Sequence, residues 1–199
     1  LTGMVWNVTQ PVFARIADDR QQMQRAFRKM LRFTAFLACP CMFGLALIAP
    51  EFITIAITEK WLPSALLMQI LCIGGAFVPI TSLYANFLVS QGKSNIYMYN
   101  TIGLCLVQML LLYVLYPYGI RTMVVAYVVL NLLWLPVWHT FTNRLIGVSF
   151  FRALTDVAPF VLIAALAMGG AWWVAGWVEN IVLVVLLKIV VAAVLYIGL

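Results

Sequence analysis

The sequence predicts an all-α integral membrane protein, a bundle of six spanning helices preceded by the tail of a truncated one. Three observations carry this. Apolar residues make up 65% of the chain and charged ones 9%, where a soluble domain carries about a quarter. Residues 61–92 hold no charge, a run longer than the ~20 residues that cross a bilayer. Alternating spans also sort the cations very unevenly between the two sides.

The elements follow in order. Residues 1–14 read as the end of a spanning helix. Residues 15–32 are the long polar run, with Arg15, Arg20, Arg25, Arg28, Lys29 and Arg32 among the twelve cations of the chain. Asp18-Asp19 can cap a new helix there, with Gln21 as a loose capping-box partner. Met23, Phe27, Met30 and Leu31 fall on one helical face and Arg25, Arg28, Lys29 and Arg32 on the other. That pattern suits a basic amphipathic helix on the cytoplasmic membrane surface, or a solvated charged face between two spans.

The first full span covers about 33–57. Pro40 kinks it, and Pro50-Glu51 marks its approach to the far interface. Trp61 anchors the following loop at that interface. The second span covers about 64–90, where Gly74-Gly75 and Pro79 predict close packing and a bend. Spans at about 96–116 and 121–143 follow, separated by a turn at Pro117-Tyr118-Gly119. A polar loop covers 144–155. Two last spans occupy about 156–176 and 180–199.

This count places Arg15, Arg20, Arg25, Arg28, Lys29, Arg32, Lys93, Arg144 and Arg152 on one side and Lys60 and Arg121 on the other. Nine cations against two make the first side cytoplasmic. The basic balance of +6 is therefore a topology signal and not a nucleic-acid one. Cys39, Cys41, Cys72 and Cys105 lie in apolar stretches without metal-ligand spacing. No catalytic set is visible, so an enzyme is not expected. His139 reads as a packing or interfacial histidine.

Lys188 stands alone inside the last span. A central lysine costs roughly 2.5–3.5 kcal/mol on insertion scales, so it reads as a functional group, as a snorkelling lysine, or as one paired with a neighbour in the rest of the protein. Gln69, Asn86, Asn100, Gln108 and Asn131 suit hydrogen bonds between helices. Asn7, Gln10 and Arg15 stand on the truncated helix and its exit. They suit either a cavity wall or an interface.

The order of several short motifs carries a resemblance. They are Pro11-Val12-Phe13-Ala14-Arg15-Ile16 with Asp18-Asp19, Arg25-Ala26-Phe27-Arg28-Lys29, Pro40 with Gly44-Leu45, and Thr58-Glu59-Lys60-Trp61-Leu62-Pro63. Further on come Leu67-Met68-Gln69-Ile70-Leu71-Cys72, Pro79-Ile80, Gln91-Gly92-Lys93-Ser94, Pro117-Tyr118-Gly119-Ile120, Arg144-Leu145-Ile146-Gly147, Asp156 and Pro159. In this order they resemble the C-terminal part of bacterial polysaccharide transporters. These are lipid-linked oligosaccharide flippases, in one superfamily with MATE-type multidrug exporters.

The resemblance implies two six-helix lobes around a central cavity, often with two extra helices. Residues 33–143 would then be four helices of the C-terminal lobe and 156–199 the additional pair. It implies a flippase of the bacterial inner membrane that moves undecaprenyl-diphosphate-linked oligosaccharide units for lipopolysaccharide or exopolysaccharide synthesis. Its partners would be the lipid bilayer, that substrate, the missing N-terminal lobe and polysaccharide assembly proteins. No cofactor, metal or nucleic acid is implied. Asn7, Gln10, Arg15 and Lys188 are the substrate-path candidates. The alternatives are a MATE-like drug exporter or a non-transporting scaffold of an assembly complex.

Overall fold

The computed structural model describes residues 20–175 and 181–198. Its helices are α1 (Arg20–Ala56), α2 (Pro63–Gly75), α3 (Val78–Ser90), α4 (Ser94–Leu115), α5 (Ile120–Ile146), α6 (Phe150–Ala175) and α7 (Ile181–Gly198). There is no strand among the described residues. Five segments are long and apolar enough to cross a membrane: Arg20–Ala56, Pro63–Ser90, Ser94–Tyr118, Ile120–Ile146 and Phe150–Ala171. The sixth expected span falls on α7, a helix of 18 residues.

Helix α1 differs from the expected pair of elements. The basic run is not a separate surface helix but the first part of one continuous 37-residue helix. The reason is local: Arg, Gln, Met, Ala, Lys and Leu are good helix formers, and no Gly or Pro occurs between Arg20 and Cys39. At ~1.5 Å per residue α1 is about 55 Å long, against a hydrocarbon core of about 30 Å. One end of it therefore projects beyond the hydrocarbon core. The expected cap at Asp18-Asp19 lies outside the described residues.

The span expected at 64–90 is broken into α2 and α3 at Ala76-Phe77. Pro79 has no N–H to return to the carbonyl of Gly75, so the ladder stops there. The glycine before it permits a close crossing. A Cβ on Gly74 would come within 2.9 Å of a Val128 methyl on α5.

The polar stretch 144–155, expected as a loop, is helical except at residues 147–149. Gly147 ends α5 in the left-handed region at φ 71°, and its N–H donates to the Asn143 carbonyl at 2.7 Å. Ser149 starts α6 at once, its carbonyl accepting from the N–H groups of Arg152 and Ala153.

Helix α1 is the hub and touches α2, α3, α5, α6 and α7. Phe27, Leu31, Ala35 and Cys39 of α1 meet Leu83, Phe87 and Leu88 of α3, Trp138 and Ile146 of α5, and Val157 and Ala164 of α6. The Phe27 and Phe87 rings meet edge-on at 5.4 Å. On α6 a stripe of Ala164, Ala167 and Ala171 is fully buried. Small residues at that spacing let helix backbones approach where lipid supplies no hydrophobic drive for association.

Two measurements check this arrangement in the complete protein. A single cysteine at Glu59 should react with a membrane-impermeant thiol reagent in intact cells, and cysteines at Lys93 or Ser149 should not; outside labelling at Lys93 would reverse the topology. Gly74→Ala should also lower the thermal unfolding midpoint through overpacking of about 1–3 kcal/mol. Gly169→Ala, where a Cβ meets nothing within 4 Å, should not lower it.

Candidate functional site

Two charged centres interrupt the apolar body, and both are built on α1. The first lies in its basic N-terminal part, beside the Phe27 and Leu31 end of the apolar core. Arg28 and Arg32, four residues apart, share one helical face. They close on Asp156 of α6, whose side chain is 2% exposed. Arg28 grips it as a fork, Nε to Oδ2 at 2.6 Å and Nη2 to Oδ1 at 2.9 Å. Arg32 adds Nε and Nη2 to Oδ1 at 2.8 and 2.5 Å. Two guanidiniums on one carboxylate leave an excess positive charge. Arg32, with its side chain 54% exposed, presents that charge outward.

The short turn beside the cluster is tied down too. The Gln24 side-chain amide donates to the Ile146 carbonyl. The left-handed φ of Gly147 is what this turn needs glycine for. Deeper in, Tyr84 of α3 and His139 of α5 share a buried hydrogen bond, hydroxyl to Nδ1 at 3.1 Å. His139 also stacks edge-on with Phe150 at 5.3 Å.

The second centre is inside the membrane. Lys188 of α7 is buried, and its Nζ donates to Glu51 Oε1 at 2.5 Å and to the Leu47 carbonyl at 3.2 Å. Glu51, expected as an interface marker, is an ion-pair partner within α1. Lys188 neither snorkels nor waits for a partner elsewhere. Its helix also packs on both α6 and α1.

Of the other sequence candidates, Asn7, Gln10 and Arg15 lie outside the described residues. The intramembrane amides mostly join helices as expected. Gln69 donates to the Ala46 carbonyl, Trp134 to Asn100 at 2.8 Å, and Gln108 to Asn131 at 3.3 Å. Asn86 is fully buried, yet its amide finds no partner among the described residues.

Sequence reading missed Asp156 as a partner, placing it at the start of the span at 156–176 and setting Arg25, Arg28, Lys29 and Arg32 on a membrane-surface or solvated face. The available signal was the four-residue spacing of Arg28 and Arg32, which aims both at one point. It missed Glu51 because Pro50 made that stretch look like a helix end.

The family model described as "Polysaccharide biosynthesis protein" matches residues 1–66. A Klebsiella pneumoniae "Uncharacterized membrane protein in cps region" is 27% identical over 96 residues, 48% of this chain and 20% of that protein. The chain resembles the bacterial polysaccharide transporters. The lipopolysaccharide biosynthesis protein WzxC of Escherichia coli K12 is 25% identical over 96 residues, with the same coverage. The teichuronic acid biosynthesis protein TuaB of Bacillus subtilis 168 is 23% identical over 175 residues, 84% of this chain and 35% of that protein. The chain thus spans between a fifth and about a third of the length of these relatives. No solved structure matches. With five apolar spans and bacterial membrane-protein relatives, it is a multi-pass protein of the bacterial inner membrane.

Because Asp156 holds two arginines at once, its loss should matter more than the loss of either. Asp156→Asn should lower the stability of the complete protein by about 1–3 kcal/mol, the usual worth of charged hydrogen bonds. Arg32→Gln, which leaves the Arg28 fork intact, should cost less. Thermal unfolding in detergent gives the order, and an Arg32→Gln midpoint below that of Asp156→Asn would contradict the shared-carboxylate geometry.

Proposed function

We propose that the protein to which this chain belongs is a flippase. It carries undecaprenyl-diphosphate-linked oligosaccharide units from the cytoplasmic to the outer leaflet by alternating access of two lobes. The observation that carries this reading is the excess positive charge at the cytoplasmic end of α1. It occurs in a chain similar to proteins named for lipopolysaccharide and teichuronic acid biosynthesis. A diphosphate entering from the cytoplasmic leaflet needs cations there, and arginine binds phosphate oxygens as a planar fork.

Arg32 has guanidinium surface left over after its contact with Asp156. Arg25 and Lys29 are exposed on the same helix and extend the charge. Arg15, Asn7 and Gln10 remain proposed substrate-path residues upstream of it. No enzymatic step is assigned. The cargo chemistry asks for charge and polar groups at the two surfaces, while the lipid tail stays in the bilayer.

A MATE-like drug exporter would instead want a carboxylate in a membrane helix that is free to meet a cationic substrate. Glu51 is such a carboxylate by position, but Lys188 already neutralises it.

The test is surface-polysaccharide yield in a strain lacking the chromosomal copy, with membrane abundance measured alongside. Arg32→Gln should lower yield several-fold at equal abundance, and Arg32→Lys should recover part of it. Normal export from an Arg15→Gln/Arg32→Gln double variant would overturn the reading of these arginines as diphosphate contacts.

A further inference from the structure

Helix α1 carries an exposed basic stripe that runs into an apolar cleft. We propose that the two together bind one anionic phospholipid, its phosphate on the stripe and one acyl chain in the cleft. The site goes beyond the transport reading and does not depend on which cargo is carried.

The stripe is set by helical spacing. Arg25, Lys29 and Arg32 are all exposed and stand four and three residues apart, so they line one face of α1. The Asp156 carboxylate is taken up by Arg28 and Arg32. Arg25 and Lys29 make no ion pair among the described residues. Exposed cations stacked in this way at the end of a membrane helix attract anionic headgroups.

The cleft continues the same side of α1. It holds about 350 Å³ between α1, α6 and α7, bordered on α1 by Phe36, Pro40, Gly44 and Leu47. Phe36 is four residues beyond Arg32, which is ~6 Å along the axis. The Arg32 side chain, 54% exposed, therefore stands one turn above the mouth. Helix α6 repeats the sequence of features. Asp156 meets Arg32, and Phe160, one turn on, meets the Phe36 ring at 6.0 Å.

Size and chemistry select the occupant. From Phe36 to Ile48 the cleft runs ~18 Å, close to one leaflet, about half of the ~30 Å hydrocarbon core. One phospholipid chain matches that length, and the longer undecaprenyl tail would overrun it. Gly44 keeps the wall open, since a Cβ there would meet only the Met168 methyl, at 3.7 Å. Lys188, at the deep end, is spent on Glu51 and the Leu47 carbonyl, so it sets no unpaired charge against hydrocarbon. The stripe alone would attract any anionic surface, and the cleft alone would take any lipid chain. Their alignment on one helix selects a molecule that has both, one turn apart.

The test uses the complete protein in nanodiscs of phosphatidylethanolamine. One sample adds a minor share of phosphatidylglycerol with a photoreactive diazirine in one acyl chain. A second carries the same chain on phosphatidylethanolamine. After illumination, labelled peptides are located by mass spectrometry. The phosphatidylglycerol probe should label residues 33–48 several-fold more than the zwitterionic one. Arg25→Gln/Lys29→Gln, which leaves the Asp156 cluster intact, should erase that preference. Gly44→Leu, which fills the cleft, should remove the labelling by both probes. If Gly44→Leu fails to fold, the double-glutamine variant decides alone. Equal labelling by the two probes in the unaltered protein overturns the proposal, and so does a preference that survives in the double-glutamine variant. Displacement of the phosphatidylglycerol signal by equimolar undecaprenyl phosphate also overturns it, because the site then belongs to the cargo. The readout is lipid contact and not polysaccharide yield, so failure of the flippase reading would leave the site standing.

Discussion

A backbone carbonyl in hydrocarbon has no water to turn to, and this constraint organises the structure around α1. Pro40 and Pro50 each remove an N–H from the helix ladder, freeing the carbonyls of Phe36 and Ala46 four residues earlier. Each of these oxygens is met by a side chain from another helix. The Tyr196 hydroxyl of α7 donates to Phe36, and the Gln69 amide of α2 donates to Ala46. The prolines therefore do more than bend α1. They turn a helix that would be self-sufficient in hydrogen bonds into one that must bind its neighbours. The Thr54 and Thr140 hydroxyls donate back to the Pro50 and Pro136 carbonyls within their own helices, a bond that commonly bends a helix further.

Charges obey the same rule more sharply. Both charged centres are interhelical, and both include a residue from α1 and one from the last two helices. Asp156 joins α6 to the basic N-terminal part of α1, and Lys188 joins α7 near its far end. The two centres differ in surroundings. Around Asp156 the arginines are partly exposed, so solvent screens the pair and tolerates an excess charge. Around Lys188 the charges are balanced one to one, because the membrane interior accepts no surplus.

Much of this was legible in the sequence. Charge-free stretches give the spans, since bilayer thickness sets helix length and few other forces act on it. The break at Gly74-Gly75 and Pro79, and the Gln108–Asn131 bond, follow from local chemistry in the same way. What the sequence concealed is pairing at a distance. Asp156 lies more than 120 residues from its arginines, and Lys188 137 residues from Glu51. Hydropathy ranks each charge by its neighbours in the chain, so a carboxylate next to Pro50 reads as an interface residue whatever waits on another helix. Boundaries misled for a related reason. Polarity in 144–155 looked like a loop, but a polar face on a helix that leaves the membrane costs nothing, and only residues 147–149 turn.

The way helices attach also differs across the bundle. Lipid tails are as apolar as leucine side chains, so burying more apolar surface cannot by itself hold one membrane helix to another. Helix α6 answers with shape: its fully buried alanine stripe at 164, 167 and 171 permits close backbone contact, and contact of that kind has no switch. Helix α7 reaches α6 closely but reaches α1 through an ammonium and a hydroxyl, with a cleft between them. Dispersion along a packed seam is insensitive to conditions, whereas an ion pair depends on whether its carboxylate is charged. Of the two attachments, only the one through Lys188 is built on charge.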